Sequence, residues 1–501
     1  MAVSFNTIPQ DVRVPLFYAE MDNSQANSFT QSQRTLLIGQ MLTTGQATAG
    51  ELTLVTRTDE AKQLFATGSM LARMYEAARK NDPIGEIWCI PLADDGAASV
   101  ATGKITITGT ATESGTLSVY IAGQLVKGVV VSGDDQATIA ASLITAINAS
   151  ANLPVTAAVN GSNDNEVDLT SKWKGETAND IKLMLNYYRA VGGESTPAGL
   201  TVGLTAMSGG ATNPSLAAAI TVMGDEEYDF IIQPYTDSAN LNLLRDEMND
   251  LTGRWSYSRQ IYGHVYTAMR NTVSGLVTFG DTRNDQHATI AGFESDSPTP
   301  VWEYAAEYGA RNAVYIKADP ARPTQTGELV GAMPAAEGSR FILSERETLL
   351  KNGIATSYTQ GGVVRVERAI TTYQENAFGE PDTSYLDSET MHTSSTILRR
   401  LRTAITSKYP RHKLRNDGEK FGAGQAIITP SIARGALIAE YAKMERQGLV
   451  ENADLFEKYL IVERDADDAN RLNILFPADY VNQLRVFALL NQFRLQFSQT
   501  A

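Results

Sequence analysis

The sequence predicts an α/β protein with a mainly parallel sheet, interrupted by a mostly β insertion and followed by an α+β C-terminal part. Strand and helix patterns alternate before residue 98 and again after Pro214, the rhythm of a sheet covered on both faces. Between them, from Ala101 to Gly210, the composition shifts to Gly, Ser, Thr and Val and short period-2 runs take over. Both ends of the chain read as amphipathic strands. At 501 residues, of which 43% are hydrophobic and 20% charged, the chain is globular and too long for one ordinary core.

Taken in order, Val3 and Phe5, then Val12, Val14 and Leu16, alternate with other neighbours, and Pro9 and Pro15 favour edge positions. Two readings fit: strands on a free arm, or a strand docked on its own domain. A polar stretch, Asp22 to Ser32, separates them from a buried strand at Thr35–Gly39. Helical text over Ala61–Arg79 and a strand at Ile87–Leu92 follow. In the insertion, strands are expected at Ile105/Ile107, Leu117/Val119/Ile121, Val129–Val131, Val167/Leu169 and Ile181/Leu183/Leu185. One helix fits Asp135–Ala149, with Ile139, Leu143 and Ile147 four apart. Gly192-Gly193 to Gly209-Gly210 reads as a loose loop.

The α/β rhythm resumes with a helix at Leu216–Met223, a strand at Asp229–Ile232 and a helix capped by Asp237. Strands at Ile261–Thr267 and Ala288–Phe293 precede a helix near Val301. Ser344-Glu345-Arg346-Glu347 has the form of a capping box, and Asn352-Gly353 that of a helix stop. A turn at Gln360–Gly362 leads into a β-branched strand, Val363–Tyr373. A further helix carries Met391, Leu398, Leu401, Ile405 and Tyr409 on one stripe until Pro410. Thr429-Pro430 opens another, buried through Leu437, Tyr441 and Met444 and closed by Gly448. Strand text at Leu472–Phe476 follows the polar turn Asp465–Asn470, and Phe493-Arg494-Leu495-Gln496-Phe497 alternates cleanly.

Little in this text carries chemistry. A net charge of −15 argues against nucleic acid and anionic membranes, and no basic run is read as offsetting it. The single cysteine, Cys89, lies in apolar strand text and reads as a small core hydrophobe in a reducing compartment. His264, His287, His392 and His412 are scattered, and no Gly-x-Ser-x-Gly elbow accompanies them, so a Ser–His–Asp hydrolase has no support. Phe421–Gln425 lacks the third glycine of a dinucleotide loop, and Asp465, Asp467 and Asp468 lack the glycine and terminal glutamate of a calcium loop. No catalytic residue, cofactor or metal is expected. Residues 1–13 lack the regions of a signal peptide, and no apolar run approaches the ~18 residues of a membrane span, so a soluble, non-exported chain is expected.

Read in one order, four segments resemble the contractile-tail sheath subunits of phages, the Mu-like branch in particular. They are Leu349–Ile354, Arg368–Tyr373, Asp382–Asp387 and Tyr409–Leu414. Leu169–Gly175 followed by Asn179–Ile181 is similar to the segment that closes an outward-facing insertion in that family. The resemblance implies a subtilisin-like α/β domain (residues 30–98 and 212–365) split by an insertion domain (99–211). It also implies an N-terminal arm (1–29) and an α+β C-terminal domain with a terminal strand (366–501).

It further implies a structural subunit of the virion tail, assembled in the host cytoplasm as stacked six-fold rings. Its partners would be copies of itself, a tail tube protein, the baseplate and a tail terminator. Contraction would drive the tube through the host envelope for genome delivery. Inter-subunit pairing is expected to use Val12, Val14 and Leu16 with the sheet containing Phe493, Leu495 and Phe497. Two alternatives stay open: the sheath of a headless contractile bacteriocin or secretion-type device, and, remotely, an α/β hydrolase.

Overall fold

A computed structural model describes residues 33–419, 421–422 and 424–495. Residues 1–33 form one unit and the rest of the chain another, and only the second is described below. The N-terminal strands expected at Val3–Leu16 and the polar stretch Asp22 to Ser32 lie outside the described residues.

The described chain opens with β1 (Thr35–Gln40), β2 (Thr53–Val55), α1 (Thr58–Phe65), α2 (Met70–Asn81) and β3 (Ile87–Leu92). The single helix expected over 61–79 is two. Ala66 and Gly68 take φ of 71° and 81°, and Ser69 restarts the helix by accepting the Ala72 N–H at 3.2 Å. A Cβ on Gly68 would come 2.6 Å from the carbonyl oxygen of Ala151, so only glycine fits.

Next come β4 (Val100–Gly109), β5 (Gly115–Ile121), β6 (Gln124–Val130), α3 (Gln136–Ala149), β7 (Val155–Val159), β8 (Glu166–Lys174), β9 (Leu183–Leu185) and β10 (Leu200–Ser208). They form antiparallel sheets of order β10-β4-β8-β7 and β6-β5-β9. Helix α3 buries the expected Ile139, Leu143 and Ile147. The expected loose loop contains β10, nine residues long, because Leu200, Val202 and Leu204 alternate against β4. Flanking glycines masked that alternation. The core here is continuous with that of the parallel sheet: the Trp173 ring meets Trp302 edge-on, centroids 5.0 Å apart.

Then follow α4 (Ala217–Met223), β11 (Phe230–Ile232), α5 (Ser238–Met248), β12 (His264–Asn271), α6 (Val273–Gly280), β13 (Ala288–Glu294) and α7 (Val301–Ala318). The main sheet has the order β13-β12-β11-β1-β3-β2 and is parallel except for the edge strand β2. Ile290 and Ala291, adjacent on β13, fall in separate core clusters, as they must when both faces of a strand are covered.

The C-terminal part holds α8 (Leu343–Lys351), β14 (Thr356–Gln360), β15 (Val363–Arg368), α9 (Ser388–Lys408), β16 (Lys413–Leu414), β17 (Ile427–Ile428), α10 (Pro430–Arg446), β18 (Val450–Glu451), α11 (Ala453–Tyr459), β19 (Ile461–Arg464), β20 (Leu472–Leu475) and β21 (Asp479–Tyr480). The capping expectation shifts register. Helix α8 starts at Leu343, and the Glu345 carboxylate accepts the Ile342 N–H at 2.8 Å. The strand after Gly362 ends at Arg368, short of Tyr373, and pairs with β14. On α9 Met391 is buried as expected, with Leu401 and Ile405 partly so, but Ile397 is buried in place of Leu398, which is 41% exposed. With Leu437, Tyr441, Met444 and Phe456, Ile397 forms a second core.

Candidate assembly surface

The polar groups that could carry chemistry are committed to structure. Cys89 is fully buried, which pushes its thiol pKa up and keeps it protonated. His264 is buried, with Nε2 2.8 Å from Oγ1 of Thr289, and His392 is buried with Nε2 3.0 Å from the Tyr266 hydroxyl. Burial holds both pKa values down, His392 to about 3. Neutral rings sealed in the core have no access to a substrate. His287 is also buried and meets Asp250 at 3.1 Å, and His412 lies edge-on against Tyr409.

Asp465 closes its own turn by accepting the N–H groups of Asp467 and Asp468, both at 2.9 Å. Those bonds lower its pKa to about 2. Its carboxylate is spent on these backbone groups and on the Asn473 side-chain amide at 2.7 Å. Among the described residues no group of three or more His, Cys, Asp or Glu is placed to hold a metal ion, and no helix is long and apolar enough to cross a membrane.

The unusual surface lies at the C-terminus. After β21 the described chain, through Leu495, runs without helix or strand, tied to the body by Val481 N–H to the Leu449 carbonyl (3.3 Å) and Gln483 to the Ala321 carbonyl (3.3 Å). Arg485 follows, bonded to Asp387 at 3.0 Å and Glu389 at 3.1 Å. Beyond it Val486, Phe487, Leu489 and Leu490 are between 78 and 90% exposed. Phe493 and Leu495 are 77 and 97% exposed. Burying each such side chain stabilises by about 1.5–3 kcal/mol, so a contiguous run of them marks a surface made for a partner. Of the expected pairing residues, the structure thus places Phe493 and Leu495 in solvent; Val12, Val14, Leu16 and Phe497 lie outside the described residues.

Two further features were not anticipated from the sequence. The antiparallel pair β19–β20 has no third strand among the described residues, and it exposes Ile461, Ile474 and Leu475. An isolated two-stranded ribbon is marginal in water, and its outer edges offer unpaired backbone groups. Second, a basic run does exist. Arg399, Arg400, Arg402, Lys408, Arg411, Lys413 and Arg415 occur with no Asp or Glu from 390 through 416. Arg399 is held by Asp229 (2.6 Å) and Glu227 (3.0 Å), while Arg402, Lys408, Arg411 and Lys413 are exposed. Overall net charge concealed this local concentration.

Comparison with known proteins places these features in a family. The model for the phage tail sheath protein central domain matches residues 209–372, and that for the phage tail sheath C-terminal domain matches residues 380–494. The chain is 42% identical over 498 residues to the Mu-like prophage FluMu tail sheath protein of Haemophilus influenzae, covering 99% of this chain and 100% of that one. Among solved structures, a sheath tail protein from Desulfitobacterium hafniense is similar at TM-score 0.49 and 12% identity, over 94% of this chain and 97% of that one. One from Listeria innocua is similar at TM-score 0.46 and 12% identity, over 90% and 92%. The contracted helical sheath of the anti-feeding prophage is similar at 0.44 and 10%, over 98% and 100%. With matching models over more than half its length and a full-length relative, the chain belongs to the phage tail sheath family, a family of structural tail subunits and not of enzymes.

Proposed function

We propose that the chain polymerises as stacked six-fold rings around a tail tube, within a phage tail assembled in the host cytoplasm. The baseplate triggers contraction, which drives the tube through the host envelope and delivers the genome; a tail terminator closes the far end. The observation that carries the assembly step is the apolar C-terminal segment, anchored at Arg485 and uncovered from Val486 to Leu495. A segment of this kind adds to a neighbour by strand pairing, with main-chain bonds giving direction and alternate side chains setting register. Because the donor and acceptor surfaces differ, the contact is heterologous and propagates instead of closing.

In this reading Val12, Val14 and Leu16 of one copy join the sheet that receives Phe493, Leu495 and Phe497 of another. The open edges of β19–β20 suit that sheet. The polar stretch 22–32 serves as the hinge of the N-terminal arm. The domain division 30–98 with 212–365, 99–211 and 366–501 is part of the same reading. It is supported by a main sheet that takes β1–β3 from the first segment and β11–β13 from the second; the subtilisin-like description of that sheet rests on the resemblance. The exposed basic run on α9 and the loop after it suits an acidic partner, for which the tube is the natural occupant.

Deleting residues 489–501 tests the assembly step. The truncated protein is expected to fold with unchanged circular dichroism and to form no tubes by negative-stain microscopy. Tubes of normal length from it would sink the terminal-strand mechanism.

A further inference from the structure

We infer that Arg485 is the anchor from which the C-terminal arm is aimed, so that force on the arm enters the α/β core through α9. The inference rests on the assembly reading above, but its first measurement does not. Three observations carry it. The first is where the chain changes character. Through Gln483 it lies on the body; Gln325 still donates to the Leu484 carbonyl at 3.4 Å, and from Val486 through Leu495 every residue is exposed. Arg485 is thus a part-buried, charge-held point immediately before a run of exposed residues that extends through Leu495.

The second is the grip itself. Nη2 of Arg485 donates to Asp387 Oδ1 (3.0 Å), Glu389 Oε1 (3.1 Å) and the Gln483 side chain, and Nη1 to Gln325 (3.3 Å). The Arg485 side chain is 12% exposed and that of Glu389 is fully buried. Ion pairs so enclosed have fixed geometry, unlike the mobile pairs of open surfaces. Both carboxylates sit where α9 begins, where the positive end of the helix dipole favours their negative charge.

The third is what lies behind the carboxylates. Asp387 also takes a two-pronged bond from Arg368 at the end of β15, at 2.8 and 2.9 Å. Glu389 also takes the N–H and hydroxyl of Thr324, both at 2.9 Å. Thr324 follows α7, whose helix packs in the main core, and His392, one turn along α9, stacks on Phe230 of β11. A pull on the arm therefore has a route to the parallel sheet through Arg485 and the start of α9, beside the covalent route through β21 to the C-terminal core around Tyr441.

The test uses the full chain with spin labels at Phe487→Cys and Thr403→Cys, since native Cys89 is buried and stays unlabelled. The distance distribution between labels is expected to be narrow in the parent. It should broaden in Arg485→Met combined with Glu389→Gln, a pairing that leaves no buried charge uncompensated, while the melting temperature of the body holds. Arg485→Lys, a point charge without the fork, should fall between. Tube formation, scored by sedimentation, should drop to background in the double variant. An unbroadened distribution overturns the anchor. Broadening with normal tubes overturns its role in aiming the arm. A parent that forms no tubes even with tube protein counts against the assembly reading alone, because the distances still decide the anchor.

Discussion

His392 shows what a polar side chain does when a helix presses it into a sheet. Its ring stacks on Phe230 at 4.9 Å, bonds the Tyr266 hydroxyl and lies 5.5 Å from His264. Burial, with the Arg399 cation nearby, lowers its pKa from the ordinary 6.5 to about 3. The unfolded chain takes up these protons below pH ~6.5 and the native chain does not. Stability is therefore full above that value and falls on acidification toward pH 3, by up to about 1.4 kcal/mol per pH unit for each such ring. Replacing His392 with Gln keeps a partner for Tyr266 and removes one titration. Urea unfolding at pH 7 and pH 5 should then show a smaller loss for His392→Gln than for the parent; equal losses would mean the ring is not what titrates. In the sequence the four histidines are scattered and no nucleophile elbow accompanies them. The sequence could not show that His264 and His392, 128 positions apart, share one pocket, because that depends on where α9 docks.

At the level of elements, local signals were read well where they were self-contained. Asp237, expected as a cap, accepts the Asn240 N–H at 3.0 Å, and its other oxygen takes the amides of Asn240 (2.9 Å) and Asn213 (3.0 Å). Asn240 in turn accepts the Leu216 N–H at 2.8 Å, so the cap of α5 also fixes the point where the chain leaves the insertion. Asp237→Ala should cost about 1–2 kcal/mol, with the slope of denaturation unchanged. A cost near zero would show that the three bonds are replaced by water. Signals were misread where a neighbour decided the outcome. The text at 61–79 is helical on both sides of Gly68, and the break comes from the close approach of Ala151. Strand β10 needs β4 beside it before its alternation has meaning. On α9 Ile397, not Leu398, joins the cluster with Leu437, Tyr441 and Met444 of α10.

On the scale of the whole molecule, charge and exposure divide the surface. The chain carries −15 overall, yet Arg402, Lys408, Arg411 and Lys413 are exposed on α9 and the following loop, with no Asp or Glu from 390 through 416. Reversing Arg402, Lys408 and Lys413 to Glu should leave stability within about 0.5 kcal/mol. Co-sedimentation with assembled tail tube should fall, and the parent's binding should weaken as salt rises above 0.15 M. Undiminished co-sedimentation would assign the run to another partner. The sequence by itself determined the α/β class, the β-rich interruption, most caps and stops, the absence of catalytic motifs and the family, because periodicity, turn chemistry and motif order are local properties of the chain. Only the tertiary structure decided that the insertion shares the main core through Trp173 and Trp302, and that Arg485 meets carboxylates almost a hundred positions away. It alone left residues 486–495 exposed. Burial and ion pairing between distant segments depend on how elements pack, and no window of neighbouring residues contains that information.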